Sequence, residues 1–490
     1  MDEILENNID ASNEYEIRLE KLRRIEERDG VAFKGRYERS HTIKEARELP
    51  LDTNVKLCGR ITAIRGFGKL IFAKLYDVDA QIQFSISLNE CPDTFEFFKN
   101  NVDIADYVGI EGELYNTHKG ELTVRVRGYE ILSKALRPLP EKWHGLTDTD
   151  KKFRQRYLDL IANEESRNAL KTRIKTIKFI RKYLDENNFT EVETPILQNV
   201  ASGAAAAPFM THHNALDKDY FLRIAPELFL KQVIECGFDR VFELGKNFRN
   251  EGMDAMHLQE FTMLEWYASY WDYKNNLEFV EKMIQGLVQE VKGDLKITYQ
   301  GTEIDFSTFY EFDYTNSLNK ELNCDILEIN DVEEFKAHLL SLNRFDVGEV
   351  KALTSIPAAV DFAFKRTLRP TLIQPTVISN YPTFLIPLAR HNDKDDRIID
   401  MFQIAVNGAE IVKAYSELIN PITQRKAFEE QAMNKNAGDE ESFEIDENFI
   451  LAMEHGMPPM SGLGFGIDRF VAILADQPTL RDIVFFPQMR

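Results

Sequence analysis

The sequence predicts an α+β protein in two folded parts, a small closed β-barrel followed by a larger domain of mixed helices and strands. Three observations predict it. Short runs alternate apolar and polar residues at 55–61, 70–76, 81–86, 107–112 and 121–126, with glycines between them. A proline-rich segment beginning Leu136-Arg-Pro-Leu-Pro140 then breaks that pattern. From about residue 147 onward, helical and strand periodicities mix through to residue 490.

Taken in order, residues 14–28 alternate charges at helical spacing and stop at Asp29-Gly30, which predicts an exposed helix within an N-terminal extension, 1–54. The five alternating runs, placed in a domain 55–135, predict a closed barrel of the OB-fold type, a fold that commonly binds oligonucleotides. Residues 136–146 read as a linker. The remainder, 147–490, reads as one α+β domain with a mostly helical, acidic insertion near 318–372. Asn407-Gly408 between two apolar runs signals a hairpin, whose two-residue turn would pair 405 with 410 and 403 with 412. The acidic run 438–447 reads as solvated surface.

Composition narrows the function. The chain is 43% hydrophobic and 11% aromatic, enough for sizeable cores. It has no apolar run long enough to span a membrane, and its charged first thirty residues predict no secretory signal. Cys58, Cys91, Cys236 and Cys324 lack metal-ligand spacing and read as reduced, mostly buried thiols of a cytoplasmic protein. A net charge of −21 argues against nucleic-acid binding by the molecule as a whole, yet phosphate contacts are local. Two basic strips stand out, Arg18 to Arg28 and Lys151 to Arg156. A solvated helix with internal ion pairs fits the first as well as RNA contact does.

The chemistry concentrates in three places. In the first, Arg249, Glu251 and His257 precede a run in which Phe261, Glu265 and Tyr267 share a face by period two. An arginine fork at such a hairpin suits phosphate oxygens, although an ordinary amphipathic hairpin has the same pattern. The second is Gly462-Leu-Gly464-Phe-Gly466 leading into Arg469, where glycines would admit a nucleotide or simply pack a strand against a helix. In the third, Gln403 and Glu410 fall on one face of the hairpin, where buried acids could hold a metal or a cationic substrate.

Together these motifs resemble motifs 2 and 3 of the class II aminoacyl-tRNA synthetases. The stretches Leu222-Arg-Ile-Ala-Pro-Glu227-Leu, Leu372-Ile-Gln-Pro-Thr, Pro387-Leu-Ala-Arg390 and Arg481-Asp-Ile-Val-Phe-Phe-Pro are similar to the lysyl branch of that class. Phe189-Thr-Glu-Val-Glu-Thr-Pro195 resembles motif 1, which forms a homodimer interface. The resemblance implies an antiparallel catalytic sheet of six or seven strands behind an anticodon-binding barrel. It implies ATP, L-lysine and tRNA(Lys) as substrates and Mg²⁺ as cofactor. Arg249, Arg469 and His257 would act on the phosphates, with Glu251, Phe261 and Gly466 also around ATP and Glu410 and Gln403 at the metal. Glu227, Glu265, Tyr267, Lys413 and Glu417, with Arg249, would hold lysine, and Phe72, Gln83 and Glu121 would read the anticodon.

The chain departs from the family pattern at four positions. Met256 and Ala207 stand where arginines are usual, Gln403 where a carboxylate is usual, and Lys413 where an asparagine is usual. Other readings are a paralogue that activates lysine for another acceptor and a non-catalytic tRNA-binding protein. The barrel argues against the first, and Arg249, Arg469 and Glu410 against the second. An aspartyl or asparaginyl enzyme would present cations or amides to the substrate side chain, in place of Glu265 and Glu417.

Overall fold

The computed structural model describes residues 2–78, 80–139, 148–201, 203–204, 206–436 and 445–489. Most of the acidic run, 438–444, and the linker residues 140–146 lie outside them. The chain divides into two compact units, Met1–Thr147 and Asp148–Arg490.

The first unit opens with helix α1 (Asp2–Asp29), stopped by Gly30 at a φ of 74° that favours glycine. Leu22 and Ile25 of α1 join the core cluster of the barrel that follows. The basic strip on α1 is therefore largely structural. Arg18 is 5% exposed and donates to the carbonyls of Ile104 and Ala135, and Lys21 pairs with Asp103 at 2.6 Å. Arg28 lies 3.7 Å over the Phe97 ring, which leaves Arg23 and Arg24 on the solvent side with Glu20.

Strands β1 (Asn54–Phe67), β2 (Leu70–Tyr76), β3 (Gln81–Ser87), β4 (Tyr107–Asn116) and β5 (Leu122–Ser133) close a barrel in the order β1-β2-β3-β5-β4. Alternation sends Ile71, Ala73, Leu75, Ile82, Phe84 and Ile86 inward. The barrel closes with five strands, as the spacing predicts for an OB-fold.

The second unit is built on an eight-stranded sheet. Its strands are β6 (Thr190–Glu191), β7 (Arg240–Phe248), β8 (Glu260–Ser269), β9 (Tyr310–Asp313), β10 (Thr376–Ser379), β11 (Met401–Val406), β12 (Ala409–Ser416) and β13 (Met460–Phe465). Their order is β9-β10-β11-β12-β13-β8-β7-β6. The six inner strands run antiparallel, and the short edge strands β9 and β6 each pair in parallel with their neighbours. Those edge strands are four and two residues long, too short for a period-two signal in the sequence. Helices α2 (Glu164–Glu186), α4 (Tyr273–Lys292) and α5 (Ile467–Leu474) cover one sheet face over Trp266, Phe402, Ile404, Val412 and Phe465. Helix α3 (Glu227–Glu235) packs on the other face, as do the helices between Tyr314 and Thr367.

The strip 151–156 is tied into this unit. Lys152 pairs with Asp482 at 2.7 Å, Arg154 with Asp150 at 2.6 Å, and the fully buried Arg156 with Asp159 at 2.6 Å. All four cysteines are free, but burial is less than expected, since Cys236 at the end of α3 is exposed and Cys58 and Cys324 are half-buried. Among the described residues no helix is long and apolar enough to cross a membrane.

Candidate active site

The hairpin β11–β12 sets the geometry. Asn407 and Gly408 both take positive φ, 49° and 72°, as a tight two-residue turn requires. Ala405 pairs with Glu410 as the turn dictates, but Ile404 then pairs with Val412 and Gln403 with Lys413. Ile411 is the extra residue of a β-bulge. The expected pairing of 403 with 412 is thus off by one. The cause is apolar: Ile411 and Val412 both turn into the core, each 1% exposed. Past the bulge the parity is reset, so Gln403, Glu410, Lys413, Tyr415 and Glu417 all belong to the opposite, open face.

The neighbouring strands continue that face. Lys413 pairs with Gly464, and Gly464 with Glu265; Tyr415 pairs with Gly462, and Gly462 with Tyr267. The two glycines make a floor without side chains. A Cβ at Gly462 would collide with the Tyr267 ring and the Glu417 carboxylate, whereas one at Gly464 would meet nothing closer than 3.9 Å. Above the floor lies a cavity of about 330 Å³. Its wall brings together Glu227, Glu265, Tyr267 and Lys413 with Arg249, Glu251, His257, Phe261, Glu410, Gly466 and Arg469.

One end of the cavity is acidic and dry. Glu227, Glu265 and Glu417 are 6%, 5% and 2% exposed. Sequence reasoning missed their counter-ion. Lys231, one turn along α3 from Glu227, is 1% exposed and sits 2.8 Å from Glu227 and 2.5 Å from Glu417. A lysine on the apolar face of Glu227-Leu-Phe-Leu-Lys231-Gln-Val-Ile, four residues after a glutamate, was the available signal. Tyr415 donates to Glu227 at 2.7 Å, and the Gly462 amide donates to Glu417 at 3.1 Å. Burial pushes the Glu417 carboxyl up to about 8 against the pull of Lys231, and burial also drives Glu265 well above the usual carboxylate range. The Glu265 carboxyl and the Tyr267 hydroxyl make no hydrogen bond among the described residues, although both line the cavity. Glu417 does not reach the cavity wall, because Lys231 and Gly462 enclose it.

The other end is cationic. Arg249 leaves the end of β7, held by its amide to the Gln259 carbonyl at 2.9 Å, with its guanidinium 5.1 Å over the Phe261 ring. Its Nε is shut from solvent without a partner. Arg469 donates to the Glu410 carbonyl at 3.2 Å and to His257 Nε2 at 3.1 Å, which leaves the His257 proton on Nδ1, facing Asp254 at 2.7 Å. Asp468 fixes the start of α5 by accepting from the Thr262 amide at 2.9 Å and pairing with Arg173. Gln403 lies outside the cavity wall, where its amide oxygen accepts from the Tyr381 hydroxyl at 2.8 Å. The Met256 side chain lines the cavity, and Ala207 offers its carbonyl to the Asn250 amide at 2.8 Å.

On the barrel, the register places Phe72, Gln83 and Glu121 on one outer face. Phe72 pairs with Ser85, Gln83 with Lys74 and Thr123, and Lys74 lies 3.8 Å from Glu121. Arg65 opposite Phe72, and Tyr115 with the Arg125 guanidinium 4.6 Å over its ring, extend this face. Aromatic and cationic groups interleaved on a strand face suit stacked bases and a phosphate backbone.

Comparison with known proteins matches both domains. Residues 148–490 match the family model of class II tRNA synthetases (D, K and N), and residues 55–132 match that of the OB-fold nucleic acid binding domain. The lysine–tRNA ligase of Carboxydothermus hydrogenoformans is 42% identical over 97% of each chain. That of Moorella thermoacetica is 41% identical over 98% of this chain and 99% of its own, and that of Escherichia coli K12 is 40% identical over 98% and 97%. With the catalytic domain, the barrel domain and relatives over nearly the full length all matched, the chain belongs to the lysine–tRNA ligases of the class II tRNA synthetase family.

Proposed function

We propose that this enzyme activates L-lysine with ATP to lysyl-adenylate at the cavity and passes the lysyl group to the 3′ ribose of tRNA(Lys), whose anticodon docks on the barrel. The observation that carries the reading is the split of one cavity into an acidic end and a cationic end, each with unpartnered groups facing inward. A lysine has two ammonium groups for the first and a carboxylate for the second. Glu265 and Tyr267, with Glu417 behind them, face the side-chain ammonium, and Glu227 the α-amine. A neutral amino acid would leave buried carboxyls without a cation, at several kcal/mol.

The attacking carboxylate is already ionised, so the step needs no base. Its oxygen bonds to the α-phosphorus, the bond to the bridging oxygen breaks, and the electron pair leaves with pyrophosphate. Catalysis is positioning and charge stabilisation. The free guanidinium of Arg249 spans the α-phosphate and the lysine carboxylate. Arg469 and His257 meet the departing phosphates, Phe261 carries the adenine, Glu251 takes its amino group, and Gly466 lets the nucleotide approach.

Magnesium enters this scheme with ATP as part of the substrate. Among the described residues no three His, Cys, Asp or Glu side chains stand together as a metal site, and the Gln403 oxygen is engaged by Tyr381. Glu410 is the acid placed to meet the substrate's ion, and the residues present do not amount to a protein-held magnesium site. A homodimer through 189–195 in a cytoplasmic enzyme completes the reading, supported by exposed Ile196 and Leu197 just after that segment. The test is aminoacylation of tRNA transcripts: tRNA(Lys) should be charged with lysine, and charging that ignores the transcript's anticodon would refute the barrel's role.

A further inference from the structure

The cationic end holds a lysine with no assigned partner. The Lys413 ammonium lines the cavity and makes no hydrogen bond or ion pair among the described residues. It shares the open face with Glu410 because of the bulge at Ile411, and the residue directly across the hairpin from it is Gln403. Side chains so paired are close enough to interact, so a carboxylate at 403 would capture the ammonium. Glutamine there is neutral, and its oxygen is turned to Tyr381. Glu410 stands alone among cations. Burial works to raise its carboxyl, yet the charges of Lys413, Arg369, Arg469 and Lys365 hold it below the usual range. A divalent cation held by the protein needs several oxygen ligands, and among the described residues no three His, Cys, Asp or Glu side chains gather here, while Lys413 and Arg469 line the same wall as Glu410.

We infer that Lys413 is a catalytic residue that grips the polyphosphate of ATP, so that a fixed ammonium does the work a second, protein-held divalent cation would do. This rests on the reading of the cavity as the ATP site. As the bond from the α-phosphorus to its bridging oxygen breaks, the negative charge that grows on the leaving pyrophosphate meets Lys413 together with Arg469. The ammonium moves no proton and enters no bond. Gln403 is the positioning partner, since its neutrality leaves Lys413 free for phosphate.

Two measurements test this. The first needs no variant: Mn²⁺ retained per site is counted by electron paramagnetic resonance with lysine and α,β-methylene ATP, which cannot release pyrophosphate. One ion, the nucleotide's own, is expected, and two or more would overturn the inference. The second is a Mg²⁺ titration of lysine-dependent pyrophosphate exchange. Lys413→Asn is expected to lower kcat by roughly 10²–10³-fold, with the KM for lysine little changed. Gln403→Glu alone should also lower it, by tenfold or more, because the new carboxylate captures Lys413. Lys413→Asn with Gln403→Glu places two carboxylates, at 403 and 410, on one face. It should regain activity, depend more steeply on Mg²⁺, and hold two Mn²⁺ ions. Additive losses with unchanged Mg²⁺ dependence would refute the coupling, while wild-type exchange with lysine would still uphold the proposed function.

Discussion

The two ends of the cavity lie on one sheet face and treat charge in opposite ways. At the acidic end, Glu227 and Glu417 share the internal counter-ion Lys231, Tyr415 donates to the same Glu227 oxygen as Lys231, and the Gly462 amide donates to the other oxygen of Glu417. At the cationic end, Arg249 and Lys413 are left without ion-pair partners among the described residues. The difference follows from solvation. Three carboxyls in a dry corner would repel one another and neutralise by protonation, so the fold supplies one ammonium and leaves the rest of the deficit for the substrate. The cationic end has Glu251 and His257 exposed at its rim and leaves its cations for an incoming phosphate. Selection thus sits where the fold supplies its acids with one internal cation, and catalysis where cations are left for the phosphates.

The contrast breaks most sharply at Glu417. Glu417→Gln keeps size but removes the carboxylate that pairs with Lys231 behind the cavity wall, and with it the negative charge that backs the substrate ammonium. The kcat/KM for lysine should fall by about two to four orders of magnitude, with the KM for ATP little changed. Unaltered lysine kinetics would remove this residue from the selecting end.

How much of this was legible can be read from single residues. The Asn407-Gly408 turn was, because only a few dipeptides tolerate two positive φ values. The period-two face of Phe261, Glu265 and Tyr267 was legible, and so were the five barrel strands. That a bulge must fall between 410 and 417 for Glu410, Lys413 and Glu417 to share one site follows from period two, but its place at Ile411 does not, because whether an extra isoleucine turns into the core depends on the helices packed beneath it. Lys231 escaped notice because a lysine on a helix is usually solvated, and nothing local shows that Glu417, far along the chain, closes over it. The strips 18–28 and 151–156 read as possible RNA contacts because alternating charge looks the same whether its partners are water or buried aspartates. The motif residues themselves came from family resemblance; spacing alone left each with an ordinary structural alternative.

The account of the dry end is sharpened by Lys231→Met, which keeps most of the packing against Tyr267, Tyr415 and Phe449. Removing one partner of a buried ion cluster should cost about 3–5 kcal/mol of stability, measured by denaturant unfolding. A change below about 0.5 kcal/mol would mean the cluster is solvated, as surface pairs are.

The barrel offers a contrast with both ends. Phe72→Ala should weaken tRNA charging by about 1–3 kcal/mol while lysine-dependent pyrophosphate exchange persists. Equal loss of both activities would make Phe72 a stability element.

A smaller effect comes from pH. Burial holds the Glu417 carboxyl up at about 8, so its pair with Lys231 gives way to a protonated acid as pH falls, and a lysine ammonium bound nearby favours the ionised form. An acid raised above its unfolded value makes the folded state bind more protons than the unfolded chain, so this group lowers stability as pH climbs from about 4.3 towards 8. Bound lysine reverses that cost. The stabilisation on adding lysine, followed by the rise in Tm, should therefore grow between pH 6 and 8 and level off above, by at most about 1.4 kcal/mol of free energy per pH unit for one proton. A gain that does not vary with pH would contradict the protonated acid.

The central claim, that the acidic end selects lysine for the cationic end to activate, is tested most directly by ATP–pyrophosphate exchange run separately with each of the twenty amino acids. The account predicts exchange with lysine and only background with the others, including arginine, whose broader guanidinium does not match a corner already filled by Lys231. Equal or greater exchange with any other amino acid, or none with lysine, would contradict it.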